Sequence, residues 1–162
     1  MVIFCATGSE DNAGLVFILG GGDACCPICI GRLIGYGWRQ RVMIESDGST
    51  KILNIHRLQC ANCNRIHHEL PDILIPYKRH CAETIINIID GNQNEDVICD
   101  DSTINRILVW WKALYVYFSG VINSLRAKFG AVFSSPARPK EIVRAVANAN
   151  LWVSTRSAQT SG

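Results

Sequence analysis

The sequence lacks a secretory signal, since no basic segment precedes an apolar run and a small-residue cleavage site. A small disulfide-stabilised protein is also excluded, because the eight cysteines are only about 5% of 162 residues. We therefore expect a cytoplasmic protein in a reducing compartment, where paired cysteines are more often metal ligands than disulfides. The net charge of +2 is too small to indicate a polyanionic partner by itself.

Catalytic and nucleotide-binding motifs are absent as well. The glycine run at 20–22 lacks the G-x-G-x-x-G spacing, and no Lys-Ser/Thr pair follows it. The serine-hydrolase motif G-x-S-x-G, the zinc-protease motif H-E-x-x-H and the zinc-deaminase signature are all missing. We expect that the protein is not an enzyme.

No stretch has the composition of a membrane span. Ile107–Leu125 comes nearest, because its nineteen residues contain a single charge, Lys112. The same stretch contains many residues that are unfavourable in the hydrocarbon core, namely Trp110, Trp111, Tyr115, Tyr117, Ser119, Gly120, Asn123 and Ser124. We therefore expect a helix of the protein core and no membrane partner. Its predicted buried face consists of Ile104, Ile107, Leu108, Trp111 and Tyr115.

The sequence is rich enough in apolar residues, at 48%, to form a core. The short run at 14–20 is bounded by glycines and predicts a strand. Trp38–Ile44 and Ile52–His56 have the composition of strands, and the Asp47-Gly48 pair between them is a strong turn signal. These features predict a β-hairpin within Tyr36–Leu58.

Helical signals follow the hairpin. Pro71 and Pro76 bracket an extended connector, and apolar residues then recur at helical spacing over 82–90, with Gly91 at the expected cap. We expect a second, short helix near 93–99. Asp101-Ser102-Thr103 offers capping side chains to a third helix, Ile104–Lys112, which we expect to continue beyond Ala113. A last helix is predicted at Lys140–Asn148.

Two C-x2-C pairs carry the clearest chemistry of the chain. A C-x2-C turn presents two thiolates to one ion, and two such turns complete a tetrahedral shell. The predicted hairpin lies between the pairs and returns the chain to its starting point, so the second pair can meet the first. We expect a structural Zn²⁺ with a closed shell, bound by Cys26, Cys29, Cys60 and Cys63. Whether Cys25, His67 or His68 contributes stays open at this point.

These elements predict an α+β protein in which a zinc ribbon with a β-hairpin precedes a helix-turn-helix-like α-helical unit. The predicted boundaries are 1–22 for an N-terminal strand or extension and 23–78 for the zinc ribbon. Residues 79–130 are assigned to the helical unit and 131–162 to a C-terminal extension.

The charges are segregated along the chain. Residues 32–79 contain eight basic and four acidic side chains, whereas residues 80–101 contain six acidic side chains and no basic one. The basic residues around the ribbon could bind the phosphates of duplex DNA, while the acidic stretch would repel them. The predicted backbone contacts are Arg39, Arg41, Lys78 and Arg79.

Several short motifs together resemble a bacterial zinc-ribbon family of unknown function. They span roughly residues 23–112 and comprise Cys26-Pro-Ile-Cys29, Gly37-Trp38-Arg39, Ile55-His56-Arg57-Leu58, Cys60-Ala-Asn-Cys63, Leu70-Pro71, Pro76-Tyr77-Lys78-Arg79 and Ser102-Thr103-Ile104. The arrangement is similar to the N-terminal zinc-ribbon and helix-turn-helix regions of insertion-sequence transposases. This resemblance implies DNA binding in the setting of mobile elements, as a regulator or transposase accessory. The chain departs from a transposase because it has no recognisable acidic catalytic triad and no room for a nuclease domain.

In a helix-turn-helix unit the third helix enters the major groove, and its N-terminal polar residues contact bases and phosphates. The predicted contacts of this helix are Ser102, Thr103, Asn105 and Arg106. The alternative is a zinc-ribbon adaptor that binds a protein partner or a second copy of the chain through its charged surfaces.

Overall fold

The structure, a computed structural model, describes residues 2–4, 7–10, 16–19, 25–92, 98–130 and 138–153. Within these ranges six strands are followed by three helices. The strands are β1 (Val2–Phe4), β2 (Thr7–Glu10), β3 (Val16–Leu19), β4 (Leu33–Ile44), β5 (Thr50–Cys60) and β6 (Ile66–Pro71). The helices are α1 (Ala82–Ile89), α2 (Asp101–Phe129) and α3 (Pro139–Asn148). The mixed α and β content agrees with the predicted fold class.

The sheet is built around the hairpin of β4 and β5. The two strands are antiparallel from the pair Ile44–Thr50 to the pair Leu33–Cys60. Gly48 has a φ of +80° in the connecting turn, a conformation that glycine adopts without strain. Strand β6 is antiparallel to β5, β3 is parallel to β5, β1 is parallel to β6, and β2 is antiparallel to β3. The predicted hairpin and the predicted strand at 14–20 are therefore both present.

One hydrophobic core joins the sheet to all three helices. The sheet contributes Met43, Leu53 and Ile55, which belong to one buried cluster with residues of the helices. Helix α1 buries Ile85 and Ile88, as its apolar spacing predicts. Helices α2 and α3 add Phe118 and Val146, each with no measurable exposure. The core thus includes residues of the ribbon, of the helical unit and of the C-terminal segment.

Helix α2 begins earlier than predicted. Asp100 is its N-cap and accepts a hydrogen bond from the Thr103 backbone N–H at 2.8 Å, so the helix starts at Asp101. It ends at Gly130, whose φ of +61° is typical of a C-terminal cap. No helix in the described part of the chain is long and apolar enough to cross a membrane.

The predicted buried face of α2 is partly wrong. Ile107 is buried as expected, but Leu108 and Tyr115 are exposed and Trp111 is only partly buried. Apolar residues lie on most sides of this helix, so their spacing does not decide which of two adjacent faces is buried. Packing against α1 and α3 determines the face that is buried. The residues that α2 buries are Ile107, Trp110, Leu114, Phe118, Val121 and Ile122.

The short helix expected near 93–99 falls mainly on residues 93–97, which lie outside the described residues, and residues 98–100 are not helical. The middle helix of the predicted helix-turn-helix unit therefore lies mostly outside the described residues.

Strand β6 is not among the predicted elements. Its residues 66–68 pair with β5 and its residues 69–71 pair with β1.

Candidate functional site

The two cysteine pairs form turns of the same shape. We call Cys26–Cys29 the first cysteine turn and Cys60–Cys63 the second cysteine turn. In each, the residue after the second cysteine has a left-handed conformation, with φ of +59° at Ile30 and +55° at Asn64. In each, the N–H of that residue donates to the carbonyl of the first cysteine, at 2.8 Å in the first turn and 3.0 Å in the second. Asparagine tolerates this conformation, whereas a β-branched isoleucine is strained in it.

The four sulfur atoms lie at the spacing of a metal centre. All four Sγ atoms are within 4.8 Å of one another. Cys29 Sγ is 3.4 Å from Cys60 Sγ, and Cys26 Sγ is 3.7 Å from Cys63 Sγ. A tetrahedral zinc ion with bonds of about 2.3 Å places its sulfur ligands about 3.8 Å apart. The predicted ligands therefore come together, and the group could hold a metal ion such as zinc.

The two cysteine turns contact each other closely at Gly31. A Cβ atom at this position would lie 2.8 Å from Asn62 Nδ2 and 3.0 Å from Cys60 Sγ. A side chain would therefore push the second turn away from the first. Gly31 allows the approach that brings the two thiol pairs together.

Hydrogen bonds distribute charge unequally among the four thiols. Backbone N–H groups of Cys63 and Asn62 lower the pKa of Cys60 to about 6. A backbone hydrogen bond with Gly31 lowers the pKa of Cys29, but the neighbouring thiols, Cys60 first, together with burial raise it overall to about 12. Cys60 is therefore the thiol of this pair that ionises more readily, and four neighbouring thiolates would need the positive charge of a metal ion.

The other candidate ligands lie outside this group. Cys25 is exposed and pairs with Arg32 in an isolated β-bridge. His67 is buried, with its Nε2 3.4 Å from Cys26 Sγ, so it contacts a ligand sulfur rather than joining the four Sγ atoms. His68 lies elsewhere, in the cleft described next. Among the described residues, the candidate shell therefore contains four cysteines and no histidine.

A second feature is an open cleft of about 540 Å³ between the sheet and the turn that precedes α1. We call it the basic cleft. Its described lining contains four cationic side chains and a histidine but no acidic residue. The lining residues are Arg39, Gln40, Arg41, Val42, Ile55, His68, Leu70, Tyr77, Lys78 and Arg79. The four residues predicted to contact the DNA backbone thus line one cleft, although they come from two separate segments.

The cations of the basic cleft have different surroundings. Arg41 is half-buried and donates from one terminal nitrogen to the carbonyls of Ile75, at 2.9 Å, and of Lys78. Lys78 Nζ lies 4.0 Å from the centre of the Trp110 ring, and burial lowers the pKa of Lys78 to about 8. Arg39 and Arg79 are exposed and form no ion pair with another described residue. Arg41 therefore fixes the turn to the sheet, and Arg39 and Arg79 are the cations most available to a ligand.

The predicted contacts at the start of α2 form a separate cluster around Asp100. Hydrogen bonds from Ser102 and Thr103 hold the pKa of the Asp100 carboxyl well below its usual range. Arg106 donates to the Ser102 carbonyl at 3.1 Å and to the Thr103 hydroxyl at 3.2 Å. Asn105 is exposed. None of these residues lines the basic cleft.

Sequence reasoning missed a partly buried contact between a histidine and a glutamate on the opposite face of the sheet. His56 Nδ1 lies 2.6 Å from Glu69 Oε2, and the ring of Trp38 lies 4.8 Å from that of His56. Glu69 is only 5% exposed. The alternation of residues along β6 could have indicated this strand, but nothing local predicts that Glu69 meets His56.

Comparison with known proteins gives one match. Residues 26–107 match a family model described as a domain of unknown function (DUF6431). The match covers just over half of the chain, so the chain belongs to this family. It includes the four cysteines, the basic cleft and the start of α2, and it gives no link to transposases. No curated protein and no solved structure matches the chain.

Proposed function

We propose that this member of the DUF6431 family is a zinc-stabilised DNA-binding protein. The observation that carries the proposal is the basic cleft, where cations from β4 and from the turn at 76–79 converge without a described acidic neighbour. Phosphate contacts supply most of the affinity of such proteins and require clustered Lys and Arg side chains. Arg39 and Arg79 meet that requirement directly, and Lys78 adds a partly buried charge.

In this proposal the metal acts structurally. The first cysteine turn directly precedes β4, and the second begins at the last residue of β5. An ion bound by both turns would therefore clamp the end of the hairpin and maintain the register that presents Arg39. Four thiolates leave no open coordination position, so we assign the ion no catalytic step.

Sequence preference, in this proposal, comes from the start of α2. Asn105 and Arg106 are exposed there, and these residue types can form bidentate hydrogen bonds with adenine and guanine. A helix-turn-helix arrangement of α1 and α2 and a role with mobile elements, as regulator or transposase accessory, complete the proposal. Both rest on the sequence resemblance.

Salt-dependent binding of the zinc-loaded protein to duplex DNA tests the proposal. We expect binding that weakens steeply between about 50 and 200 mM salt. Replacing Lys78 and Arg79 by Ala should weaken binding to all sequences and reduce the salt slope by about one unit per lost phosphate contact. Replacing Lys112 and Lys128 by Ala, two exposed cations of α2, removes the same charge elsewhere and serves as the control.

The base contacts need a separate measurement. Replacing Arg106 by Ala should cost about 1–3 kcal/mol at a preferred site and little at other sequences. If the folded, zinc-loaded protein binds no DNA even at low salt, the DNA-binding proposal is wrong.

The alternative function, an adaptor that binds a protein partner, is favoured by one observation. Helix α2 exposes apolar side chains on the side away from the core, including Val109 and Val116, the latter 79% exposed. A protein partner could cover them. Under this alternative, substitutions at Val109 and Val116 would weaken association and substitutions in the basic cleft would not.

A further inference from the structure

One face of the sheet is buried near its middle and more exposed toward the cysteine turns. Residues opposite each other in antiparallel strands share a face, so Ile55 lies on the same face as Arg39, and Arg57 on the same face as His68. Ile55 is buried in the core that the sheet shares with the helices. Toward the cysteine turns the side chains of this face become more exposed, and we call that part the open sheet end. It consists of Ile34, Tyr36, Arg57, Ile66 and His68.

A β-bulge presents an aromatic ring at the open sheet end. The pairing register shifts between Gly35 and Gly37, which leaves Tyr36 without a partner on β5. Gly37 has a φ of +129°, a conformation that disfavours other residues. The Arg57 guanidinium lies 4.8 Å from the centre of the Tyr36 ring, and Tyr36 remains 50% exposed. The bulge thus places an exposed ring beside a cation.

A second exposed ring lines the basic cleft. Tyr77 is 62% exposed. Its φ of +63° is unfavourable for a tyrosine. The hydrogen bonds from Arg41 to the carbonyls of Ile75 and Lys78 span this residue and hold the turn. The fold therefore maintains a strained backbone at a position whose side chain is mostly in solvent.

Arginine side chains lie near the rings of Tyr36 and Tyr77. Burial first, and then the charges of Arg39, Arg57 and Arg41, lower the pKa of His68, and Arg39, Arg41 and His68 line the same cleft. Tyr36 contacts this cluster at Arg57, and Tyr77 lines the cleft that contains Arg39 and Arg41. Cations for a phosphate backbone, combined with aromatic rings for bases, are the surface that single-stranded nucleic acid requires.

The bases of duplex DNA cannot stack on Tyr36 or Tyr77, because their faces are already stacked inside the double helix. A single strand exposes base faces and carries one phosphate backbone instead of two.

We propose that the basic cleft and the open sheet end together bind single-stranded DNA in preference to duplex DNA, with bases stacked on Tyr36 and Tyr77. The inference rests on the proposed function for its phosphate contacts, which both forms of DNA share. It adds a preference for single-stranded DNA and names Tyr36 and Tyr77 as the residues that cause this preference.

The test compares a labelled 15-nucleotide oligothymidylate with a 15-base-pair duplex by fluorescence anisotropy at one low salt concentration. The wild-type protein should bind the single strand at least about fivefold more tightly. Tyr36→Ala and Tyr77→Gly should each weaken single-strand binding by about fivefold or more and change duplex binding by less than about twofold. Tyr77→Gly also suits the positive φ, so its fold should be preserved.

Two controls separate stacking from folding. Tyr36→Phe keeps a ring and should bind like wild type, and Tyr115→Ala removes an exposed tyrosine of α2 and should change neither affinity. Equal or tighter binding of the duplex, or Tyr36 and Tyr77 variants that bind both forms like wild type, would overturn the inference and leave the proposed function standing. Failure of the wild-type protein to bind either form at low salt would overturn both.

Discussion

Exchanging the residues that follow the two cysteine turns, Ile30 and Asn64, measures the strain of the left-handed backbone at these positions. Ile30 and Asn64 occupy equivalent left-handed positions, with φ of +59° and +55°. A left-handed conformation costs an ordinary side chain about 1–2 kcal/mol and costs asparagine less. Ile30 is 81% exposed, so its replacement sacrifices little burial. Ile30→Asn should therefore stabilise the zinc-loaded protein by about 1 kcal/mol, and Asn64→Ile should destabilise it by a similar amount.

Urea unfolding followed by tryptophan fluorescence measures both changes in the free energy of unfolding. Each change corresponds to a shift of about 2–4 °C in Tm for a chain of this length. The variant with both substitutions should return close to wild type, because each turn then carries the residue of the other. Destabilisation by Ile30→Asn, or no effect of Asn64→Ile, would show that the left-handed positions are not strained in the way that their φ values indicate.

Three further predictions concern the metal, the contact between His56 and Glu69, and Lys78. Protein purified without added metal should contain one zinc per chain by elemental analysis, and a strong chelator should unfold the ribbon; less than about 0.3 zinc per chain with an intact hairpin would contradict this. His56→Ala should lower the free energy of unfolding by about 1–3 kcal/mol, because it leaves the buried Glu69 side chain without this hydrogen-bond partner. Lys51→Ala breaks the exposed pair with Glu45 and should lower the free energy of unfolding by at most about 1 kcal/mol. Equal losses of stability in the His56 and Lys51 variants would contradict the prediction. Because the pKa of Lys78 is about 8, its charge is present below that pH and is lost above it. Duplex affinity should therefore fall between about pH 7 and 9 in the wild type but not in Lys78→Arg, and a similar fall in both would count against a phosphate contact at Lys78.

The features that the sequence predicts well are local. Each C-x2-C turn depends on four or five consecutive residues, and the hairpin depends on two alternating runs with Asp47-Gly48 between them. Together they predict that Cys26 and Cys60 meet, because an antiparallel hairpin brings its two ends together. The structure places these sulfur atoms in one group.

The features that the sequence predicts poorly depend on contacts between distant segments. Arg41 was expected to contact phosphate, but it also binds carbonyls 34 and 37 residues away, and nothing near it in the sequence indicates that turn. The buried face of α2 is a similar case, because its apolar residues permit two faces and Trp110 is selected by packing. The basic residues were identified from charge, whereas the cleft that gathers them required the fold.

The position of the basic cleft between two fixed ends of the hairpin explains why a structural metal would matter for binding. At one end, the cysteine turns adjoin Leu33 and Cys60; at the other, Met43 and Leu53 are buried under the helices. Arg39 lies on β4 between these two ends. Holding a binding surface in its bound geometry lowers the entropic cost of association. Because loss of the metal should unfold the ribbon that carries Arg39, DNA affinity should be lost together with the zinc.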